Sequence, residues 1–189
     1  MQKRLEQVQQ QARNGDVDAQ ATLGLMYETG FGVAPDRQHA AKWYKKAALQ
    51  GDQLSQFALA EMHLEGKGVA PNAETAVYWL RKAAGNGLPD ACFLLGNLLL
   101  SKKNQVALKE GIRWLEVAAE SGMAKANLFL GDLFAKGSDV EEDKDRAMRY
   151  YRNAAEQAYA EMRETAQYVQ APISIPHTSN TLPTMGASA

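Results

Sequence analysis

One spacing governs this chain: a glycine at 15 recurs at 51, 87 and 122, in steps of 36, 36 and 35 residues. Trp43, Trp79 and Trp114 keep the same step, with Tyr150 in the fourth copy. So do the pairs Ala47-Ala48, Ala83-Ala84, Ala118-Ala119 and Ala154-Ala155. A fixed period of about 20 to 50 residues marks a stacked-repeat protein, in which each unit needs its neighbours to bury an apolar face. The 189 residues therefore form one array, not two small domains. Arrays of this kind present a long surface to a partner instead of enclosing a catalytic pocket.

Each copy reads as a helical hairpin. In the copy from Gly15 to Gly51, Ala19, Leu23, Met26 and Tyr27 recur at intervals of three and four and so share one face of a helix. Thr29-Gly30-Phe31-Gly32-Val33-Ala34-Pro35 then turns the chain, and Asp36 is placed to cap a second helix. That helix carries Ala40, Trp43, Tyr44, Ala47 and Ala48 on one stripe, and Gly51 ends it. The third copy replaces the glycine turn with Ser101-Lys102-Lys103-Asn104, one residue shorter. The fourth keeps Gly137 and runs into Asp139-Val140-Glu141-Glu142-Asp143. Gly24, Ala60, Gly96 and Gly131 fall at one helical position, where small residues let neighbouring helices approach closely.

The expected organisation is an N-terminal capping helix over 1–14 and four repeats over 15–50, 51–86, 87–121 and 122–158. A separate closing helix follows over 159–170, then a disordered tail over 171–189 with three prolines and no period. Ten helices result, in an all-α, right-handed solenoid of stacked hairpins. The capped ends argue against end-to-end stacking, so the expected state is a monomer or a small homo-oligomer.

The copies follow A-x-A-Q-x-x-L-G-x-x-Y-x-x-G-x-G-V and then W-Y-x-K-A-A-x-x-G, most fully in Ala19-Gln20, Leu23-Gly24, Tyr27, Gly30, Gly32-Val33, Trp43 to Ala48 and Gly51. This pattern closely resembles the Sel1-like repeat, a relative of the tetratricopeptide repeat, over about residues 1–170. The resemblance implies an adaptor or scaffold of a bacterial kind. One branch of that family, secreted and cysteine-rich, is associated with β-lactam binding or hydrolysis and carries a disulfide in every repeat. With a single cysteine and no apolar leader behind its basic N-terminus, the chain departs from that branch. The same features give a cytoplasmic expectation.

Chemistry has few candidates. The net charge of −1, from 21 basic and 22 acidic residues, advertises neither nucleic acid nor anionic lipid, and no apolar run is long enough to span a bilayer. Cys92 reads as a small core-side residue, with Gln20 and Gln56 one position out of phase; the rival reading is a reactive thiol. The 139–143 carboxylates suit the start of a helix and lack the spacing of a calcium loop. His39 is expected on the exposed side of a second helix, His63 half-buried where Tyr27 stands in the first copy, and His177 in the tail. No catalytic or nucleotide motif is present, so the expectation is a non-enzyme without cofactor or metal.

What remains is surface. If the resemblance to tetratricopeptide arrays holds, the first helix of each hairpin lines the concave face. Three rows then point into it: Ala21, Phe57, Phe93 and Leu128; Leu25, Glu61, Asn97 and Asp132; and Glu28, Leu64, Leu100 and Ala135. Phe57 and Phe93 beside Glu61 and Asp132 suit an apolar segment that carries a basic residue. Two rival readings stand beside this one. The aromatics are tucked between repeats as ordinary packing, or the protein is a secretion-system accessory, an immunity or chaperone-like partner of a toxin. A β-lactam- or peptidoglycan-binding role would have needed export and paired cysteines. A further use of the tail, docking through Pro172, Pro176 and Pro183, rests on composition alone.

Overall fold

The computed structural model describes residues 2–169. Among them are nine helices and no strand: α1 (Gln2–Arg13), α2 (Val17–Thr29), α3 (Arg37–Leu49), α4 (Gln53–Glu65), α5 (Ala73–Gly85), α6 (Pro89–Leu100), α7 (Gln105–Glu120), α8 (Ala124–Lys136) and α9 (Lys144–Val169). Each packs against the next in order, and α2 also touches α4, so the hairpins stack as a solenoid. The expected tail and His177 lie outside the described residues.

The caps set the helix ends. Asp16, Asp52 and Asp143 accept backbone N–H groups of Ala19, Ser55 and Arg146, and Asp36 accepts from both Gln38 and His39. These side chains satisfy donors that the first helical turn leaves open. Gly30, Gly66 and Gly137 close the first helices of repeats one, two and four in the left-handed conformation. The third repeat manages without such a glycine, and Lys103 in its short turn is the one non-glycine with positive φ among the described residues.

The core is built from the template rows. Leu23, Leu59, Leu95 and Leu130 are fully buried, as are the first alanines of the pairs, Ala47, Ala83 and Ala118. A Cβ on Gly24 would lie 2.6 Å from the ring of Tyr44, and one on Gly96 the same distance from Leu115 and 2.9 Å from the carbonyl of Gly111. The two helices of a hairpin therefore meet where no larger side chain fits.

Two expectations change. The closing helix is not separate: α9 runs unbroken from Lys144 through the expected boundary at 158/159 to Val169. Gly51, Gly87 and Gly122 take φ of 101°, 87° and 90° and end the second helices, but Ala158 stands at that place in the fourth repeat. An alanine favours continued helix over the left-handed turn. Cys92, moreover, stands in phase with Gln20 and Gln56, one repeat step from Gln56. All three reach back to the previous second helix: Gln20 to the carbonyl of Ala12 at 3.1 Å, Gln56 to that of Ala48 at 3.0 Å, and Cys92 to that of Ala84 at 3.8 Å.

Candidate functional site

The first helices α2, α4, α6 and α8 bury one side against their hairpin partners and leave another side outward. Leu25 is 54% exposed and Leu128 51% exposed on that outer side, with Glu61 and Asp132 also exposed. Ala21 and Asn97 are half-buried. Phe57, Phe93, Leu64 and Leu100 are half-buried and pack on the main core with part of their surface. Core packing therefore accounts for part of each aromatic ring and leaves the rest open to solvent.

Phe129 belongs to the same surface, and the three rows omit it. Its ring meets that of Phe93 edge to face at 6.0 Å, joining α8 to α6, and the Lys125 ammonium lies 4.6 Å from the Phe93 centroid. Phe129 precedes the template Leu130 by one, a place held by Thr22, Ala58 and Leu94 in the other copies. A lone aromatic in an otherwise unremarkable row was the available signal.

The two carboxylates of the middle row differ. Asp132 accepts from the Tyr151 hydroxyl at 2.7 Å and has the Lys136 ammonium at 3.5 Å; the hydroxyl first, then the charge, holds it below the usual carboxylate range. Glu61 makes no hydrogen bond or ion pair among the described residues. Burial first, then the carboxylates of Glu65, Glu28 and Asp90, push its carboxyl above the usual range, against a smaller pull from Lys67. Lys67 is itself paired with Glu65. Glu28 accepts the Tyr44 hydroxyl at 2.6 Å, and burial followed by that bond raises the Tyr44 phenol.

The remaining candidates are structural. Cys92 is buried, and burial raises its thiol, so it is a core residue and not an activated nucleophile. His63 is half-buried with Nδ1 3.2 Å from the carbonyl of Ala70. His39 is exposed, stacked on Tyr27 and 2.6 Å from Oδ2 of Asp36. Among the described residues no group of three or more His, Cys, Asp or Glu side chains could hold a metal ion. Of the acidic run, Asp143 caps α9, and Asp145 just beyond it lies in the first turn of that helix. A cleft of about 1080 Å³ opens beside this run, floored by Leu108, Ile112, Phe134 and Val140. In the second repeat Gly68 presses on the main chain of Arg37 with no room for a Cβ. Asp139 stands at the equivalent place, opposite Gln105, so this junction cannot close in the same way.

The Sel1 repeat model matches the chain four times in tandem, over residues 17–52, 53–88, 89–123 and 124–159. The chain belongs to the Sel1 repeat family. Solved Sel1 structures agree with the architecture. A Sel1 repeat protein from Oxalobacter formigenes is 34% identical with a TM-score of 0.71, over 76% of this chain and 60% of that one. The protective antigen c5321 of uropathogenic Escherichia coli, described as an SLR fold, is 32% identical with a TM-score of 0.73, over 87% of this chain and 36% of that one. The immunity protein Pa5087 of Pseudomonas aeruginosa is 26% identical with a TM-score of 0.51, over 81% and 57%. The chain thus spans less than two thirds of the length of each of these three neighbours. None of the curated proteins matches it. Sel1 repeats are typically protein–protein interaction modules and generally non-catalytic scaffolds. No helix among the described residues is long and apolar enough to cross a membrane.

Proposed function

We propose that this Sel1 array is a non-enzymatic adaptor that binds a protein or peptide segment on the concave face formed by its first helices. The observation that carries the reading is the apolar surface left on those helices: Leu25 and Leu128 are each more than half exposed, with Phe129 36% exposed between the repeats. Leu25 and Leu128 give a partner apolar contacts on the first and fourth repeats, and the half-buried Phe57 and Phe93 of the second and third supply rigid aromatic anchors between them. Binding there requires no cofactor.

The test is affinity capture from the native host with wild type beside Leu25→Asp/Leu128→Asp. These two side chains are the right choice because Phe57 and Phe93 also support the core, so charging them would disturb folding as well as binding. A protein retained by wild type and lost by the double variant, with equal melting temperatures, supports the face. Equal retention by both moves the interface to the second helices or the loops.

A second reading is supported by the likeness to the Pseudomonas immunity protein. Here the partner is one toxin or effector, held as an immunity or chaperone-like accessory would hold it. A single stoichiometric partner with nanomolar or tighter affinity favours this reading; several partners of micromolar affinity favour the adaptor.

A further inference from the structure

We infer that the segment received by the first-helix face carries a lysine or arginine whose cationic group seats against Glu61. The inference rests on the binding face proposed above and adds the charge and the place of the partner's anchor.

The middle row offers two carboxylates, Glu61 and Asp132, and only one is available. Asp132 is held by the Tyr151 hydroxyl at 2.7 Å and by Lys136 in the next turn of α8. Glu61 has no such partner among the described residues. Its surroundings are also of one sign: Glu65 one turn further along α4, Glu28 at the end of α2, and Asp90 in the first turn of α6. The nearby cation, Lys67, is engaged by Glu65. Glu28 is held in place by the Tyr44 hydroxyl, and the Tyr44 ring is fixed against Gly24, so this negative charge is part of the hairpin and does not swing away.

Apolar surface borders the unpaired carboxylate. Phe57 lies four residues earlier on α4, and so on the same side of that helix. Leu25, more than half exposed, occupies the position of Glu61 on the adjoining α2. An ammonium or guanidinium on an aliphatic stem matches both parts: the stem covers Leu25 and Phe57, and the head relieves the crowding of carboxylates. Further along the face Lys125 lies over Phe93 and Lys136 pairs with Asp132. A basic residue is favoured beside Glu61 and disfavoured beside Lys125, which gives a bound segment a direction.

The test uses a displayed library of random dodecapeptides as the probe, selected on wild type, Glu61→Gln, Glu61→Lys and Leu25→Asp/Leu128→Asp, each checked by circular dichroism. Wild type is expected to enrich apolar peptides with a lysine or arginine at a fixed spacing. A selected peptide should bind Glu61→Gln about tenfold more weakly, and Glu61→Lys should enrich an acidic residue at that spacing. Enrichment of apolar peptides without a basic residue, or of the same basic peptides on Glu61→Lys, overturns the inference and leaves the binding face intact. Enrichment that survives on Leu25→Asp/Leu128→Asp, or no enrichment on wild type, overturns the binding face and the inference with it.

Discussion

The side-chain amide of Asn86, at the end of the second repeat, donates to Oε1 of Gln56 at 3.1 Å, across thirty residues of chain. Gln56 in turn donates to the buried carbonyl of Ala48 at the end of the previous repeat. The same clasp recurs as Gln50 to Gln20 at 2.8 Å and, with donor and acceptor exchanged, as Asn127 to Gln157 at 3.0 Å. At the third repeat both partners are changed together: Cys92 stands in place of the first amide and Ser121 in place of the second, whose hydroxyl bonds within its own helix to Val117. A polar pair lost as a pair leaves nothing stranded, whereas one lost singly does.

The clasp predicts an asymmetry between repeats. Gln56→Leu removes the buried amide that bonds both the Ala48 carbonyl and the Asn86 side chain and should cost about 1–3 kcal/mol. Cys92→Ala removes a small thiol with only a 3.8 Å contact and should cost about 1 kcal/mol. Urea denaturation of both variants checks the order, and equal losses would show that the amides contribute little to stacking.

The length of α9 is predicted to depend on Ala158. Ala158→Gly restores the residue that ends the other second helices and should cost about 1 kcal/mol of helix stability. Amide hydrogen exchange in residues 159–163 should quicken while the core alanines stay protected. Unchanged exchange would mean that contacts beyond the local sequence hold the extension.

Glu61 should be a stability cost that disappears in acid. With its folded-state pKa raised above the usual 4.5, the cost is present at higher pH and is relieved as pH falls through the folded value. The causes are partial burial of the carboxyl first, then the carboxylates of Glu65, Glu28 and Asp90, opposed by Lys67. For so exposed a group the effect is small: Glu61→Gln should melt about 1–2 °C above wild type near pH 7. The difference should close near pH 4. A variant that melts lower than wild type at neutral pH would show that Glu61 has a stabilising partner.

The fold was largely readable in the sequence because a repeat writes the same physical solution several times. Leu23, Leu59, Leu95 and Leu130 identify the core by recurrence, and Asp36 and Gly51 mark helix ends by chemistry that is local to them. The extension of α9 was also visible, in the alanine at 158, but only as a missing glycine. The site was harder. That Asp132 is satisfied and Glu61 is not depends on where Tyr151, Glu28 and Asp90 arrive in space, and these come from other helices. Likewise Phe129 gains its meaning from an edge-to-face contact with Phe93 on a different repeat.

The most direct test of the binding face is hydroxyl-radical footprinting of the protein with and without its captured partner. Exposed apolar residues on both sides of the solenoid serve as reporters: Leu25, Leu128 and Phe129 on first helices, Tyr78, Val106 and Met148 on second helices. We predict that the partner protects Leu25, Leu128 and Phe129, together with Phe57 and Phe93, and leaves the second-helix residues oxidising at their free rates. Protection of Tyr78, Val106 or Met148 with Leu25 and Leu128 still reactive would contradict the account and place the interface on the opposite side.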